Sequence, residues 1–352
     1  MKTLIFTAAL TMAFTAQAAV AAETTSLDAF FAKDGIVTTE ANYPTLETSR
    51  QLLKYQDAVG VNKLYHIRDL ANVKTQVAVR TNQDTYYSFT TINVENSATL
   101  TLPKVAEGMY ISAQVITEDH QIKPMVFGSG MHLISGANIK DTHVVVVVRL
   151  DARIPKKEAN AIQDQMYITS KSDAEYVSPV VNKEIFHQVE VDLKTQFLAM
   201  LKAEGADALT GMFTSLQDGS KEMRTDQKYS VGAAVGWGGA QFIDNIYEIS
   251  PNYAMTCHQA TFEDPQNKQF WSVTVYDKAG FMFEDKAKIS SHTVKPNGDG
   301  TITLSFGCGA DAINNLKVKN DTGVFSLTFR HYSPSQKVMD GYRLVPLVKL
   351  VK

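Results

Sequence analysis

The sequence predicts a mainly β protein, two β-sandwich-like domains joined by a helical segment. From Gln76 to Leu150, runs of residues alternate between polar and apolar with period two, the pattern of half-buried strands. From Ile246 to the end, strand-like runs return between turn-rich stretches such as Pro296-Asn-Gly298-Asp-Gly300, a strong turn signal. Between them, Phe186, Val189, Leu193, Phe197, Met200 and Leu201 recur at three- and four-residue spacing, the stripe of an amphipathic helix. The expected division is a leader over 1–22, an N-terminal β domain over 23–154, a helical bridge over 155–235 and a C-terminal β domain over 236–352.

In chain order, Lys2, the apolar run Leu4 to Phe14 and the small residues Ala16-Gln17-Ala18 or Val20-Ala21-Ala22 make a secretory leader. The protein is therefore expected to be periplasmic or secreted. No later run approaches the roughly 20 apolar residues a membrane span needs. Loss of Lys2 with the leader takes the formal charge from −3 to −4. With no basic stripe, a nucleic-acid partner is excluded. Residues 23–42 read as polar loop. Residues 45–59 read as a helix stopped by Gly60. Strands are expected over Ala98–Leu102 and through Met109, Ile111, Ala113 and Val115. His143 to Leu150, apolar and β-branched almost throughout, suits a central strand covered on both faces.

Residues 155–168 read as helix, with Pro155 in an acceptable first-turn position. Residues 183–204 form the clearest helix, with Asn182 to cap its start and Gly205 its end. Gly236-Trp237-Gly238-Gly239 marks a backbone that turns sharply or is closely approached. Further strands are expected over 253–262, 270–277, 301–306, 324–332 and 343–350. Cys257 and Cys308 either pair in an oxidising compartment or stay as buried thiols; spacing does not decide between these.

Several polar constellations are candidates for chemistry. Arg80, Asn82, Asp84, Tyr86 and Ser88 occupy alternate positions. On one continuous strand they share a face. An Arg fork there suits a carboxylate or phosphate, and Asp84 can orient it or act as a base. The alternative is a hairpin, with strands Gln76–Arg80 and Thr85–Ile92 and Asx-turns at Asn82 and Asp84. A matching stripe runs through Ser326, Thr328, Arg330 and Tyr332, and another through Ser272, Thr274 and Tyr276. Each is either a solvated outer face or part of a site where two Arg forks clamp one anion. Glu118-Asp119-His120 is the densest acid–imidazole cluster. Glu118 and Asp119 are candidate ligands for Mg²⁺ or Ca²⁺, with a solvated acidic turn as the alternative. His120 is a candidate proton-transfer group beside Asp84. Trp237 and Trp271 join Arg80, Asn82, Tyr86, Arg330 and Tyr332 as candidate ligand contacts. Gly128-Ser129-Gly130 lacks the setting of a serine-hydrolase elbow.

The order of these motifs resembles a bacterial family. Asn62-Lys-Leu-Tyr65-His-Ile-Arg68-Asp69-Leu, the Arg80–Ser88 stretch and Tyr110-Ile-Ser-Ala-Gln114-Val-Ile are similar to domain of unknown function 1254. Gly236-Trp237-Gly238-Gly239, Phe270-Trp271-Ser-Val-Thr-Val-Tyr276-Asp277, Asp299-Gly300-Thr-Ile-Thr-Leu and Phe329-Arg330-His-Tyr332-Ser-Pro334 resemble its usual partner, domain of unknown function 1214. The resemblance implies two sandwich-like domains with helices between, often exported and often homo-oligomeric. It supplies no reaction. Where relatives carry an Asn-Trp-Leu-Pro-type segment, this chain reads Asn315-Leu316-Lys317-Val318-Lys319. Two functions follow: hydrolysis of a polar anionic ester of the phosphorylated-polyol type, or binding of a small polar or anionic ligand without chemistry.

Overall fold

The computed structural model describes residues 21–76, 78–134, 141–213 and 226–351. The expected leader therefore lies almost wholly outside the described residues. Strands β1 (Glu23–Thr24) and β2 (Phe31–Ala32) precede helix α1 (Tyr43–Val59). Strands β3 (Tyr65–Ile67), β4 (Thr85–Asn93), β5 (Ala98–Leu102), β6 (Ile111–Thr117), β7 (Val126–Phe127), β8 (Gly130–Leu133) and β9 (His143–Asp151) follow. Then come α2 (Lys156–Gln163), β10 (Tyr167–Ser170), β11 (Ser178–Pro179), β12 (Val181–Asn182), α3 (Lys183–Glu204) and α4 (Asp226–Gly236). The C-terminal half holds β13 (Asn245–Ile249), β14 (Tyr253–Ala254), β15 (His258–Phe262), β16 (Phe270–Tyr276), β17 (Lys288–Ser290), β18 (Ile302–Phe306), β19 (Asn315–Leu316), β20 (Val324–Tyr332), α5 (Gln336–Met339) and β21 (Lys349–Leu350).

The protein is mainly β. In the N-terminal half, a sheet of order β3-β4-β9-β6-β7 faces a smaller sheet of order β10-β5-β8. Strand β9 is central and buried along its whole length, as its run of valines requires. Val144, Val146, Val148 and Leu150 share one core with Leu100 and Leu102 of the smaller sheet. Val145 and Val147 point the other way, into a core shared with α1 and α3. Phe186, Leu193 and Met200 are the buried residues of the α3 stripe. The Asn182 side chain accepts the Ile185 N–H at 3.1 Å, which starts that helix. In the C-terminal half, β13-β20-β16-β17 packs on β19-β18-β15-β21. Trp271, Val273, Phe306, Phe325, Leu327 and Phe329 fill the space between. Among the described residues, no helix is long and apolar enough to cross a membrane.

Four expected elements differ, one of them the strand over 253–262, which splits into β14, paired with β20, and β15, paired with β18. The helix over 155–168 ends at Gln163, and Tyr167–Ser170 pairs antiparallel with β5. Met166 and Ile168 enter the first sandwich core there, so packing overrides helical continuation. The strand over 343–350 shrinks to Lys349–Leu350, preceded by a 3₁₀ turn at Val345–Leu347. Its backbone N–H groups at Leu344 and Val345 donate to the Glu248 carboxylate instead of a ladder. Residues 23–42 are not all loop: β1 pairs with β11 and β2 with β12. Gly35 crosses Val181 so closely that a Cβ would lie 2.4 Å from its carbonyl carbon.

Cys257 and Cys308 form a disulfide, with Cα atoms 4.4 Å apart and a sequence separation of 51. Closing a loop of that length restricts the unfolded chain. Replacing both by serine is expected to lower stability by about 2–4 kcal/mol, read from urea unfolding at neutral pH. An unchanged midpoint would show that the loop is already constrained in the unfolded chain.

Candidate functional site

Strands β16 and β20 alternate sharply. One face gives the core above; the other carries Ser272, Thr274, Tyr276, Ser326, Thr328, Arg330 and Tyr332. In an isolated sandwich that face would be solvated. Here every one of these side chains is buried, because the segment before β4 and Tyr110 of the N-terminal half lie against it. The Arg80 N–H donates to the Gly280 carbonyl at 2.7 Å, and Tyr276 Oη donates to the Thr81 carbonyl at 2.8 Å. The Tyr110 ring meets Phe270 and Tyr332 edge-on at 5.7 and 5.8 Å. A polar seam between the two halves results.

The seam's charges are met mostly by neutral partners. Arg80 donates through Nη1 to Thr328 Oγ1 (2.9 Å) and through Nη2 to Ser326 Oγ (3.3 Å). Its guanidinium lies 5.5 Å from the Tyr276 ring centre. Arg330 donates to Thr274 Oγ1 (3.1 Å), Tyr276 Oη (2.9 Å) and the Arg80 carbonyl (2.7 Å). Asp84 Oδ2 accepts from Ser272 Oγ (2.7 Å) and Tyr332 Oη (2.8 Å). Its Oδ1 is 3.2 Å from Lys288 Nζ, an ion-pair contact without a directional hydrogen bond. Burial alone would raise the Asp84 pKa. The charges of Lys288 and Arg330, with the two hydroxyl donors, outweigh it and hold the carboxyl below its usual value. Burial and the adjacent Asp84 push the Tyr332 phenol well up, so it remains a donor.

Beside the seam opens a cleft of about 1130 Å³. Arg153, Lys286, Lys288 and Lys295 line it, against Asp285 and Asp311. Gln83, Ser290, Thr293, Asn314 and Asn315 add neutral polar groups. Lys288 joins cleft to seam: its Nζ donates to the Gln83 carbonyl at 2.7 Å and contacts Asp84. Of the segment Asn315–Lys319, Asn315 reaches the cleft lining, next to Asn314. Asn314 is held in a left-handed conformation (φ 48°), its side chain bonded to Lys295 N and to the Lys295 and Thr303 carbonyls.

The structure gathers Arg80, Asp84, Arg330 and Tyr332. Asn82 lies beside them, forming the expected Asx-turn onto Asp84 N (3.0 Å) and donating to Tyr87 Oη (2.7 Å). The stretch is neither of the expected forms. Among the described residues of 76–84 no strand forms, and Arg80 is left-handed at φ 54°. The alternation therefore breaks, and Tyr86 points into the first sandwich core, bonding to the Ile154 carbonyl. Trp271 also belongs to a core, edge-on to Phe262 at 5.5 Å. Trp237 is half-buried and donates to Thr48 Oγ1. His120 lies between Trp237 and Tyr229, its Nε2 accepting the Gly238 N–H at 3.2 Å. It is thus built into the glycine-tryptophan turn, whereas Asp84 belongs to the seam. Glu118 Oε1 accepts from the backbone of Thr142 and His143. Asp119 accepts from Thr117 and Gln121. Among the described residues, no group of three or more His, Cys, Asp or Glu side chains is placed to hold a metal ion.

Lys288, Arg153 and Arg149 were not singled out from sequence. Lys288 sits in a three-residue strand among other lysines, with no pattern to mark it. Arg149 did carry a signal, a charge inside a strand that is otherwise apolar and doubly covered.

The fold is that of a two-sandwich protein with a polar seam and a basic cleft between its halves. Family models match two segments of it in order: residues 61–122 match "Protein of unknown function (DUF1254)" and residues 244–336 match "Protein of unknown function (DUF1214)". No curated protein matches the chain. Among solved structures, it is similar to the VPA0106 protein from Vibrio parahaemolyticus, with a TM-score of 0.63, 14% identity, and coverage of 89% of this chain and 98% of that one. It is also similar to an uncharacterised protein from Burkholderia cenocepacia, with a TM-score of 0.53, 12% identity, and coverage of 89% and 87%. At such identities the likeness concerns the fold alone.

Proposed function

We propose that the chain is an exported binding protein that takes a small polyanion of the phosphorylated-polyol class in the cleft between its two halves. The observation that carries this is the cleft lining: Lys286 and Lys295 stand exposed on it, while Arg153 and Lys288 beside them are already engaged by Asp151 and Asp84. Lysine ammonium groups hold phosphates as point charges, and the asparagine and hydroxyl side chains suit a polyol. A disulfide fits export to an oxidising compartment. Binding is favoured over turnover because Asp84 is sealed and held ionised by Lys288 and Arg330, and His120 is engaged elsewhere.

The test is calorimetric titration with glycerol 3-phosphate and myo-inositol hexakisphosphate. Lys286 and Lys295 are both exposed, so the K286A/K295A double variant should fold normally. It is expected to bind at least about tenfold more weakly, and wild-type affinity should fall with added salt. Equal affinity in the double variant, or no heat with either probe, sinks the reading. Release of inorganic phosphate during the titration would replace binding with ester hydrolysis.

A further inference from the structure

Arg149 is a buried cation that forms no ion pair among the described residues. It lies at the end of central strand β9, 6% exposed. Across the sheet it is paired with Ser112 on one side and Tyr87 on the other, so the three side chains share one face. Its Nη1 donates to Gln114 Oε1 at 3.0 Å and lies 3.9 Å from Met125 Sδ. Nε and Nη2 have no hydrogen-bond partner among the described residues, and no carboxylate there makes an ion pair with this guanidinium. An unpaired charge so placed is costly unless something completes it.

What surrounds it is aromatic. The guanidinium carbon is 5.8 Å from the Tyr87 ring centre, and Tyr87 stacks on Phe89 at 5.7 Å. Met125 Sδ is shared with Tyr110 Oη, 3.6 Å away. The phenols of Tyr87, Tyr110, Tyr247 and Tyr332 stand around the same group. Tyr87, Phe89 and Tyr247 are each only partly buried. Gln114 holds the guanidinium in place: its Nε2 donates to the Gly238 carbonyl at 2.9 Å, which leaves Oε1 for Arg149. The glycine-tryptophan turn thereby fixes the direction of the fork.

We infer that Arg149 anchors a second site, separate from the cleft, that takes a small aromatic monocarboxylate. The Nε–Nη2 edge presents parallel N–H donors, the match for the two oxygens of one carboxylate. A single guanidinium balances a single negative charge, and the Tyr87–Phe89 pair offers a flat apolar wall. None of Arg149, Tyr87 or Tyr247 lines the cleft, so this inference stands or falls apart from the cleft reading.

Thermal unfolding of the full chain with benzoate, its neutral analogue benzamide, acetate and inorganic phosphate tests it. Benzoate at about ten times its Kd is expected to raise the wild-type midpoint by about 2–4 °C. Acetate should act only at higher concentration, and benzamide not at all. Arg149→Met should abolish the benzoate response, whereas K286A/K295A should keep it. Arg149→Lys guards against misfolding of the methionine variant; it keeps the charge but loses the fork, and should bind benzoate at least about tenfold more weakly. An equal response in wild type and Arg149→Met, a benzamide response matching benzoate, or stabilisation by phosphate alone overturns the assignment.

Discussion

Asp84→Ala is expected to destabilise the protein by about 3–5 kcal/mol, a large fraction of a typical domain's margin. The carboxylate is 2% exposed. It accepts from Ser272 and Tyr332 and sits against Lys288. Arg330, also buried, feels its charge. Removing it strands two hydroxyl donors and leaves Lys288, Arg330 and Arg80 as neighbouring cations with no anion among them. Asp84→Asn separates the terms: it keeps the shape and an acceptor oxygen but loses the charge. The sign of the pH effect follows from a folded-state pKa below the unfolded one. The charge then contributes fully above the unfolded carboxyl pKa of about 3.9. That contribution disappears as pH falls through the lower folded value. The gap between wild type and Asp84→Asn should thus stay constant from pH 7 to about 5 and close below about 4. Urea unfolding across that range measures it. A gap that persists unchanged at the acid end would mean the charge is not what matters.

The same residues show what a sequence conveys. The central place of β9 is legible in Val144 to Val148, because only a doubly covered strand tolerates that run. The helix over 183–204 is legible from its stripe and both caps. The gathering of Arg80, Asp84, Arg330 and Tyr332 is half legible. Alternation marks Arg330 and Tyr332 as sharing a face with Ser326 and Thr328, but period two does not say what covers a face. Seven polar side chains on β16 and β20 suit water equally well; only the docking of the N-terminal half buries them. The misplacement of Tyr86 is a phase error. Reading one ribbon from Arg80 to Ser88 sets Tyr86 beside Asp84, whereas the strand starts at Thr85 after a left-handed residue and brings Tyr87 to Asn82 instead. Asn315 opens the segment marked in the sequence as differing from the resembled family, but its place on the cleft lip beside Asn314 depends on the return of the chain after Cys308.

Glu248→Ala should be comparably damaging, about 3–5 kcal/mol, and its effect should spread to the C-terminus. Glu248 and His331 have no exposure at all. Glu248 accepts from His331 Nε2 at 2.8 Å, from Leu344 N at 2.8 and 3.0 Å, and from Val345 N at 2.8 Å. Asn267 explains the orientation of the imidazole. Its Oδ1 accepts from Ser335 N at 3.2 Å, so its Nδ2 faces His331 Nδ1 at 3.2 Å and donates to it. The ring proton then sits on Nε2, aimed at Glu248. This carboxylate therefore fastens β20 to the turn at Val345–Leu347, and through it to β21, which pairs with β15 next to Cys257. Truncation leaves three buried donors unsatisfied, each costing about 1–3 kcal/mol. Glu248→Gln keeps one acceptor oxygen but turns an NH₂ toward the remaining donors, so it should recover only part of the loss. Hydrogen exchange gives the spatial readout: the Leu344, Val345 and Val351 amides should lose protection in Glu248→Ala, while amides of β9 in the other half keep theirs. Val351 belongs to that set because its N–H donates to the Cys257 carbonyl at 3.0 Å. If those three amides stay protected, the chain end is held by its apolar contacts at Leu344, Val345 and Val348 rather than by the carboxylate.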